Sequence, residues 1–233
     1  MDKSNNQLFH KRTEEYYNAI RTNIQFSGKN IKTIAVTSVL DNEGKSTVAM
    51  NIAASLANVG KKVVLVDADT RNSVFVGRMK IMAKVKGLTD YLSGNASFEE
   101  VIIGTSMSNL HMVLSGPVPP NPTALLQNEL FNQLLVRCRQ SYDYVIVDTP
   151  PLGLVTDASI VAHQCDGSIL VVEADRVKRR AVRKIQERLV QTGAEFLGVV
   201  LNKVDIKNQT YGSYGEYGKY GEYGKRIEAE PKA

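Results

Sequence analysis

Short apolar segments alternate with polar, periodic segments along most of the chain, and this pattern predicts alternating β-strands and α-helices. The near-continuous apolar runs at 62–66 (KVVLV) and 143–147 (DYVIV) are typical of strands buried on both faces of a parallel sheet. Further strands are predicted at 31–37, 109–114, 168–172 and 196–201. Strands that alternate with helices indicate an α/β fold, in which helices flank a mainly parallel sheet.

Most segments between these strands show helical periodicity, which predicts α-helices there. Helices are predicted at 12–27, about 45–58, near 88–92, near 98–103, from 122 to about 139, and at 157–164 and 177–192. Ligands of such sheets bind at the carboxyl ends of the strands. We therefore expect the functional site in the loops that follow strands 31–37, 62–66 and 143–147.

The chain divides into an N-terminal helical segment (1–30), an α/β domain (31–206) and a tail (207–233). The tail reads YGSYGEYGKYGEYGK, and this density of glycine opposes helix, so we predict a disordered, solvated segment. Its tyrosines recur at every third position, as Tyr211, Tyr214, Tyr217, Tyr220 and Tyr223.

Composition narrows the class of protein. The 233 residues, 43% hydrophobic and 23% charged, fit one globular α/β domain. The net charge of +5 favours an anionic partner such as a nucleotide or a membrane surface. Two distant cysteines argue against a disulfide framework and favour a cytosolic setting. No apolar run is long enough to span a membrane, so a membrane role requires a partner, and no nucleic-acid partner is expected.

The motif with the clearest chemistry is EGKST at 43–47, which follows a predicted strand and opens a predicted helix. Gly44 allows the backbone to approach a phosphate, and the N–H groups of the turn and of the helix N-terminus then face the anion. Lys45 is expected to contact the β- and γ-phosphates, and the Ser46 hydroxyl to bind Mg²⁺. The expected nucleotide contacts in this loop are Asn42, Glu43, Gly44, Lys45, Ser46 and Thr47.

This loop departs from the common GxxxxGK[ST] pattern. Val39 stands where the leading glycine would be, and Asn42 stands where a second glycine often occurs. Asparagine tolerates positive φ better than most residues. The alternative is a helix N-terminus that carries Gly-Lys-Ser by coincidence, and the acidic motifs downstream argue against it.

Three aspartates end predicted strands, Asp67 and Asp69 in VVLVDADTR and Asp148 in VIVDTPP. We expect them to converge near the phosphates. Mg²⁺ prefers carboxylate, phosphate and water oxygens, which makes Asp148 the candidate ligand, bound directly or through water. Either Asp67 or Asp69 can accept the proton of an attacking hydroxyl while the other orients a metal-bound water.

Two further charged residues have simpler interpretations. Asp157 is expected to cap the helix at 157–164. Arg71 is expected either to neutralise phosphate charge or to pair with Asp69, and the sequence leaves both open.

The last predicted strand is followed by Asn202-Lys203-Val204-Asp205. An Asn-Lys-x-Asp tetrapeptide at this point reads guanine in GTPases, so GTP is an alternative ligand. However, Asp148 continues as Asp-Thr-Pro-Pro and not as the Asp-x-x-Gly of those enzymes. Asn202 alone can hydrogen-bond adenine, and ATP is therefore favoured.

The combination of SVLDNEGKST, VDADTRNS, VIVDTPP and the Tyr-Gly tail resembles the bacterial tyrosine kinases, in particular the cytoplasmic CpsD/CapB type encoded with Gram-positive capsule or exopolysaccharide genes. These belong to the MinD/ParA-like class of P-loop NTPases. The resemblance covers nearly the whole chain. It implies ATP-dependent autophosphorylation of the tail, with Lys45 and Ser46 as Walker A, Asp67 and Asp69 as Walker A′, and Asp148 as Walker B. It also implies that Asp67 is the base.

The same resemblance implies partners. These are a membrane-embedded activator of the chain-length-regulator type, which recruits the kinase to the inner face of the plasma membrane, a cognate phosphotyrosine phosphatase, and further copies of the chain in a ring. The family's Glu-x-x-Arg-x-x-Arg oligomerisation motif is matched by Glu15 and Arg21, with Asn18 in place of the middle arginine. Glu15 and Arg21 are therefore the expected contacts between subunits.

Two other functions fit the same fold. A MinD/ParA-like switch ATPase would hydrolyse ATP to position other proteins, and a non-catalytic module would use nucleotide only to assemble. Neither function needs five regularly spaced tyrosines, so the tail favours the kinase.

Overall fold

The computed structural model describes residues 3–78 and 85–205. The predicted tail at 207–233, with its tyrosines, lies outside the described residues. The described strands are β1 (Thr33–Ser38), β2 (Val63–Asp67), β3 (Ile103–Gly104), β4 (Leu110–Val113), β5 (Tyr144–Asp148), β6 (Gly167–Glu173) and β7 (Glu195–Asn202). The described helices are α1 (Lys3–Phe26), α2 (Lys45–Asn58), α3 (Phe75–Arg78), α4 (Leu88–Leu92), α5 (Phe98–Val101), α6 (Pro122–Leu126), α7 (Glu129–Ser141), α8 (Asp157–His163) and α9 (Arg179–Gln191).

Within the described residues, the strands form one sheet in the order β3-β4-β2-β5-β1-β6-β7. Strand β3 runs antiparallel to β4, and the other neighbouring pairs are parallel. Because β5 lies between β1 and β2, the carboxyl ends of these three strands meet at one edge of the sheet. The predicted fold, a mainly parallel sheet flanked by helices, is confirmed.

Alternate residues of the central strands pack against helices on opposite faces of the sheet. On one face, Ile34 belongs to the same apolar cluster as Ile52 of α2. On the other face, Val64 and Val147 cluster with Leu134 of α7. All of these side chains are fully buried, and each contributes about 1.5–3 kcal/mol through burial of apolar surface. The two clusters hold the strand ends that carry the site.

Helix α1 begins well before the predicted 12–27, because residues 3–11 contain no glycine or proline that would end it. It packs against α2 through Ile24, which is buried. Arg21 Nη1 also donates to Ser55 Oγ at 3.2 Å and to the Ser55 carbonyl at 3.3 Å. Arg21 therefore stabilises the docking of α1 within one chain.

Two further predicted helices were wrong in extent. The helix predicted from 122 to about 139 is interrupted at Asn128, whose backbone is extended and whose Oδ1 caps α7 by accepting the N–H two residues on at 3.2 Å. The helix predicted near 98–103 ends at its fourth residue, because Ile103 pairs with Met112 in the sheet. Apart from α1 and these two helices, the predicted elements agree with the structure to within two residues at each end.

A basic segment at 176–188 mostly lies on α9. That helix buries Ile185 and Leu189 and exposes most of its basic side chains. Arg188 differs, because its Nη1 donates to the Leu152 carbonyl at 2.8 Å. Over the described ranges, none of the helices combines the length and the hydropathy needed to cross a membrane.

A carboxylate at the opposite edge of the sheet ties β1 to β6. Asp166 accepts hydrogen bonds from the Thr33 N–H at 2.7 Å and from the Lys32 N–H at 3.0 Å, and it pairs with Arg139 at 2.8 Å. Burial alone would raise the pKa of Asp166, but the bonds from Thr33 and Lys32 and the charge of Arg139 outweigh it, and the pKa lies below its ordinary value. This carboxylate therefore stabilises the fold above the pKa of an unfolded aspartate, and the contribution is lost as the pH falls through its lower folded-state pKa.

We expect Asp166→Ala to lower the free energy of unfolding at pH 7 by about 2–4 kcal/mol, because it leaves two part-buried N–H groups and one arginine without their acceptor. Urea denaturation measures this difference, which should shrink in acid. Asp143→Ala is the matched control, since the exposed Asp143 accepts a single bond from the Lys62 N–H, and its cost should be below about 1 kcal/mol. Equal costs for the two variants would contradict the assignment.

Candidate active site

The loop between β1 and α2 makes a turn that requires glycine at one position. Asn42 has φ 57° and Gly44 has φ 91°, both in the left-handed region. A Cβ atom at Gly44 would lie 2.2 Å from Asn202 Nδ2, so a side chain there is excluded by contact as well as by backbone strain. The turn leads directly into α2, whose first N–H groups have no acceptor within the helix. It thus has the form of an anion-binding loop.

Glu43 supports this loop from inside. Its side chain is fully buried, and its Oε2 accepts the Leu40 N–H at 2.6 Å. Its Oε1 accepts the Glu173 N–H at the end of β6, at 3.1 Å. The sequence predicted Glu43 as a nucleotide contact without separating its backbone from its side chain. The structure directs the carboxylate into the loop, which leaves the backbone as the part that faces a ligand.

The structure brings two acidic strand ends together around Lys45. Lys45 Nζ lies 2.8 Å from Asp69 Oδ2 and 3.8 Å from Asp148 Oδ2. It also lies 3.2 Å from Ser46 Oγ, which is buried beside it on the first turn of α2. Thr47, the next residue, is exposed. One ammonium group is thus surrounded by the side chains expected to handle phosphate and magnesium.

Asp67 is the most deeply buried carboxylate of this group. It is the register partner of Asp148 on the adjacent strand. Its Oδ2 accepts a hydrogen bond from Ser73 Oγ at 2.5 Å, and its Oδ1 accepts the Asp69 N–H at 3.2 Å. Burial, followed by the negative charge of Asp148, raises the pKa of Asp67 to about 7, although the bond from Ser73 opposes the shift. At neutral pH this carboxyl group is poised between its two protonation states.

The lysine of the cluster stays charged. Burial lowers the pKa of Lys45, but the carboxylates of Asp148 and Asp69 outweigh burial, so that the pKa lies above its ordinary value. Its ammonium group therefore offsets part of the negative charge of the strand ends. The group thus has three carboxyl groups, Asp67, Asp69 and Asp148, for one cation.

The structure corrects two predictions about charged residues. Asp157 does not cap α8, because Thr156 occupies the N-cap position and Asp157 is the first helical residue. The fully buried Asp157 carboxylate accepts from Arg71 Nε at 2.6 Å and from Thr123 Oγ1 at 2.8 Å. Neither of the two roles predicted for Arg71 included this pair. The contact ties the segment after β2 to α6 and α8, and sequence reasoning missed it because the partners are far apart along the chain.

The predicted base-reading residue contacts the loop between β1 and α2, residues 39–44, which is called the phosphate loop below. Asn202 Nδ2 donates to the Glu43 carbonyl at 2.8 Å, at the end of β7. Asn202 therefore lies at the site edge, and in this structure its amide N–H holds the loop.

The two residues of the predicted oligomerisation pair have different surroundings. Glu15 is exposed on α1, whereas Arg21 Nη1 donates to Asn18 Oδ1 at 2.8 Å within the same helix, in addition to its contacts with α2. The predicted phosphorylation sites lie outside the described residues: Tyr211, Tyr214, Tyr217, Tyr220 and Tyr223.

Among residues 3–78 and 85–205, no group of three or more His, Cys, Asp or Glu side chains is arranged to hold a metal ion by itself. Mg²⁺ is commonly held by one or two carboxylates together with phosphate oxygens and water. The combination of a left-handed glycine turn, a helix N-terminus and a buried lysine among strand-end aspartates defines a P-loop nucleotide-binding site.

Comparison with known proteins agrees with this geometry. A family model described as an AAA domain matches residues 31–192. The tyrosine-protein kinase CpsD of Streptococcus agalactiae is 56% identical over 204 residues, which cover 88% of this chain and 89% of that protein. The kinase domain of the Escherichia coli tyrosine kinase ETK superposes with a TM-score of 0.80 at 32% identity, covering 87% of this chain and 80% of that one. The septum site-determining protein MinD of Pyrococcus horikoshii, complexed with Mg-ADP, shares the fold with a TM-score of 0.66 at 24% identity, covering 75% and 71% of the two chains.

The chain belongs to the bacterial tyrosine-kinase family, within the P-loop class that its fold and site define. The resemblance drawn from the four sequence motifs is thereby confirmed, as are the transferase class and the MinD/ParA-like fold.

We expect Asp67→Asn to stabilise the protein at pH 8 in the absence of nucleotide and Mg²⁺. The folded-state pKa of about 7 exceeds the ordinary value of 3.8, so the wild type loses stability as the pH rises from about 4 to about 7. An amide removes this penalty, which is about 2–4 kcal/mol for a fully buried group. In urea denaturation, the free energy of unfolding of the variant should exceed that of the wild type at pH 8, and the difference should be smaller at pH 5.

Asp175→Asn is the matched control for that experiment. Asp175 is an exposed aspartate with φ 59°, a backbone conformation that asparagine also adopts. Its stability change should be near zero at both pH values. If Asp67→Asn changed the free energy of unfolding as little as this control does, the raised pKa of Asp67 would be contradicted.

Proposed function

We propose that this chain is an ATP- and Mg²⁺-dependent protein-tyrosine kinase that phosphorylates the tyrosines of its own C-terminal tail, with Asp67 as the base. The observation that carries the proposal is the position of Lys45, buried between Asp69 and Asp148 directly after a left-handed turn. Such a cluster suits phosphoryl transfer, in which charge spreads over the transferred group and is stabilised by cations.

The residues present fit a nucleotide with magnesium. The backbone N–H groups of residues 42–47 form the proposed phosphate cradle, and Lys45 exchanges its bond to Asp69 for one to phosphate. Ser46, Asp69 and Asp148 are the proposed ligands of Mg²⁺, directly or through water. When bound, ATP with Mg²⁺ supplies the phosphoryl group and neutralises its charge.

Asp67 is the proposed acceptor of the proton of the attacking hydroxyl. A base works best when its pKa is close to the operating pH, and burial beside Asp148 brings the pKa of Asp67 to about 7. Ser73 and the Asp69 N–H fix the orientation of this carboxylate. In the proposed reaction Asp67 accepts the phenolic proton while the phenol oxygen bonds to the γ-phosphorus, and ADP leaves with the bridging oxygen.

The proposed substrate is the tail of a neighbouring copy in a ring. Five tyrosines, each followed by glycine, provide repeated targets on an adaptable backbone. A flexible segment of about 20 residues has an r.m.s. span of roughly 25 Å, which is enough to reach an adjacent site. Glu15, exposed on α1, is the proposed intersubunit contact, and Arg21 contributes from the same helix while it holds α1 on α2.

ATP is proposed over GTP, with Asn202 beside the site. We further propose that the kinase regulates capsule or exopolysaccharide synthesis in the cytoplasm. A membrane-embedded activator of the chain-length-regulator type recruits it to the inner face of the plasma membrane, and a phosphotyrosine phosphatase reverses the modification. These proposals rest on the family to which the chain belongs and on the tyrosine cluster of its tail.

The kinase proposal is tested with the full chain, an activator fragment, γ-labelled ATP and Mg²⁺, followed by phosphotyrosine detection. We expect label on the wild type, and a loss of at least about 100-fold for Lys45→Met, since each charge-stabilising group is worth that much in such reactions. Chelation of Mg²⁺ should also abolish the label. Lys62→Met, which removes an exposed lysine at the opposite edge of the sheet, is the control and should retain full labelling.

A second variant tests the substrate. Replacement of all five tail tyrosines by phenylalanine should abolish self-labelling while leaving the site intact. Label that survives these changes would overturn the tail as substrate. ATP hydrolysis without any phosphotyrosine would favour the switch ATPase instead.

A further inference from the structure

Three successive carbonyl groups of the phosphate loop are held from outside the loop. Arg176 Nη1 donates to the carbonyl of residue 41 at 2.8 Å, and Lys203 Nζ donates to that of residue 42 at 2.6 Å. Asn202 Nδ2 donates to that of residue 43 at 2.8 Å. The three donors all come from the carboxyl ends of β6 and β7 or from the turns that follow them. None of these contacts is local in sequence.

Glu173 holds the two cations of this group together. Its Oε2 accepts from Arg176 Nη1 at 2.9 Å and from Lys203 Nζ at 3.1 Å. Without it, two positive charges would be brought side by side at the loop. The backbone N–H of the same residue donates to the buried carboxylate of Glu43. Glu173, at the end of β6, therefore contacts the loop directly through its main chain and indirectly through the two cations that its side chain holds.

The held carbonyls determine the direction of the N–H groups of the phosphate loop. In a planar trans peptide the carbonyl and the N–H point in opposite directions. Carbonyls 41–43 are held toward the ends of β6 and β7, so the N–H groups of residues 42–44 are directed away from those strands. Left-handed φ values at Asn42 and Gly44 combine with this to gather N–H groups into a concave surface of the kind that binds anions.

We infer that Arg176 and Lys203, together with Asn202, are positioning residues that orient the phosphate loop for the nucleotide's phosphates. The inference rests on the proposed nucleotide site and extends it to two cations, of which the sequence had suggested only Lys203, as part of a guanine-reading motif. It also gives Asn202-Lys203 a role different from base reading, because the donor groups of both side chains contact loop carbonyls. Changes at these positions should therefore affect all nucleotides of equal phosphate number alike.

The test compares the affinities of the full-length wild type and its variants for MgADP and MgGDP by isothermal titration calorimetry. Lys203→Met and Arg176→Met should each weaken the binding of both nucleotides about tenfold, which is the effect of losing one charge-assisted hydrogen bond. The ratio of the two Kd values should stay at its wild-type value. Lys203→Arg keeps a charged donor and should restore affinity to within about threefold.

Arg180→Met is the matched control, because Arg180 is an exposed arginine of α9 and its loss changes the net charge equally. It should stay within about twofold of the wild type. In the kinase assay, Lys203→Met should raise the KM for MgATP and leave kcat at saturation within about threefold, a split that general loss of structure would not give. Thermal melting of each variant confirms that the fold is retained.

Wild-type affinity of Lys203→Met for both nucleotides would overturn the inference. Weaker binding of MgADP with unchanged binding of MgGDP would also overturn it, because it would assign base reading to Lys203. Wild-type binding, measured in the same titrations, reports on the proposed nucleotide site. The ratio of variant to wild-type Kd reports on the positioning residues, so either conclusion can fail separately.

Discussion

A buried ammonium group among strand-end carboxylates is the interaction on which the rest of the site depends. Lys45 Nζ lies 2.8 Å from Asp69 and 3.8 Å from Asp148, while Asp67 is fully buried beside them. Unpaired charges in such surroundings are costly, and this lysine compensates only part of the negative charge. The remaining carboxylates favour a further cation. Burial, followed by the negative charge of Asp148, raises the pKa of Asp67, so the surroundings that favour magnesium also favour proton acceptance by this carboxylate.

The sheet makes this arrangement possible by its strand order. Because β5 separates β1 from β2, the residues at the ends of these strands are neighbours, and Asp67 is the register partner of Asp148. The apolar clusters on both faces fix the register, since a shift by one residue would turn every strand side chain to the wrong face. Loop geometry then depends on a second layer of contacts, from Glu43 inside the turn and from β6 and β7 outside it. The residues of the site, at the edge of the sheet, are thus held in place by the apolar side chains packed in its centre.

Much of this could be predicted from sequence, because the signals are local. Apolar runs locate the strands, and a glycine followed by lysine and serine locates the turn, so the carboxyl edge and its aspartates could be expected to meet. Other features could not be predicted, since they join distant positions. Arg71 finds Asp157 86 residues away, and Lys203 reaches the carbonyl of residue 42 across 161 residues. The break at Asn128 was missed for another reason, because helical periodicity continues across a side-chain cap that only the backbone conformation reveals.

A crystal structure of the full chain with MgADP would show directly whether the Lys45 cluster binds phosphate and metal. We predict that the β-phosphate contacts the N–H groups of the turn that contains Gly44, that Lys45 Nζ leaves Asp69 for phosphate, and that the metal lies on the side of Ser46 and Asp148. A nucleotide bound elsewhere, or one bound while Lys45 stays paired with Asp69 and the metal lies away from Asp148, would contradict this prediction.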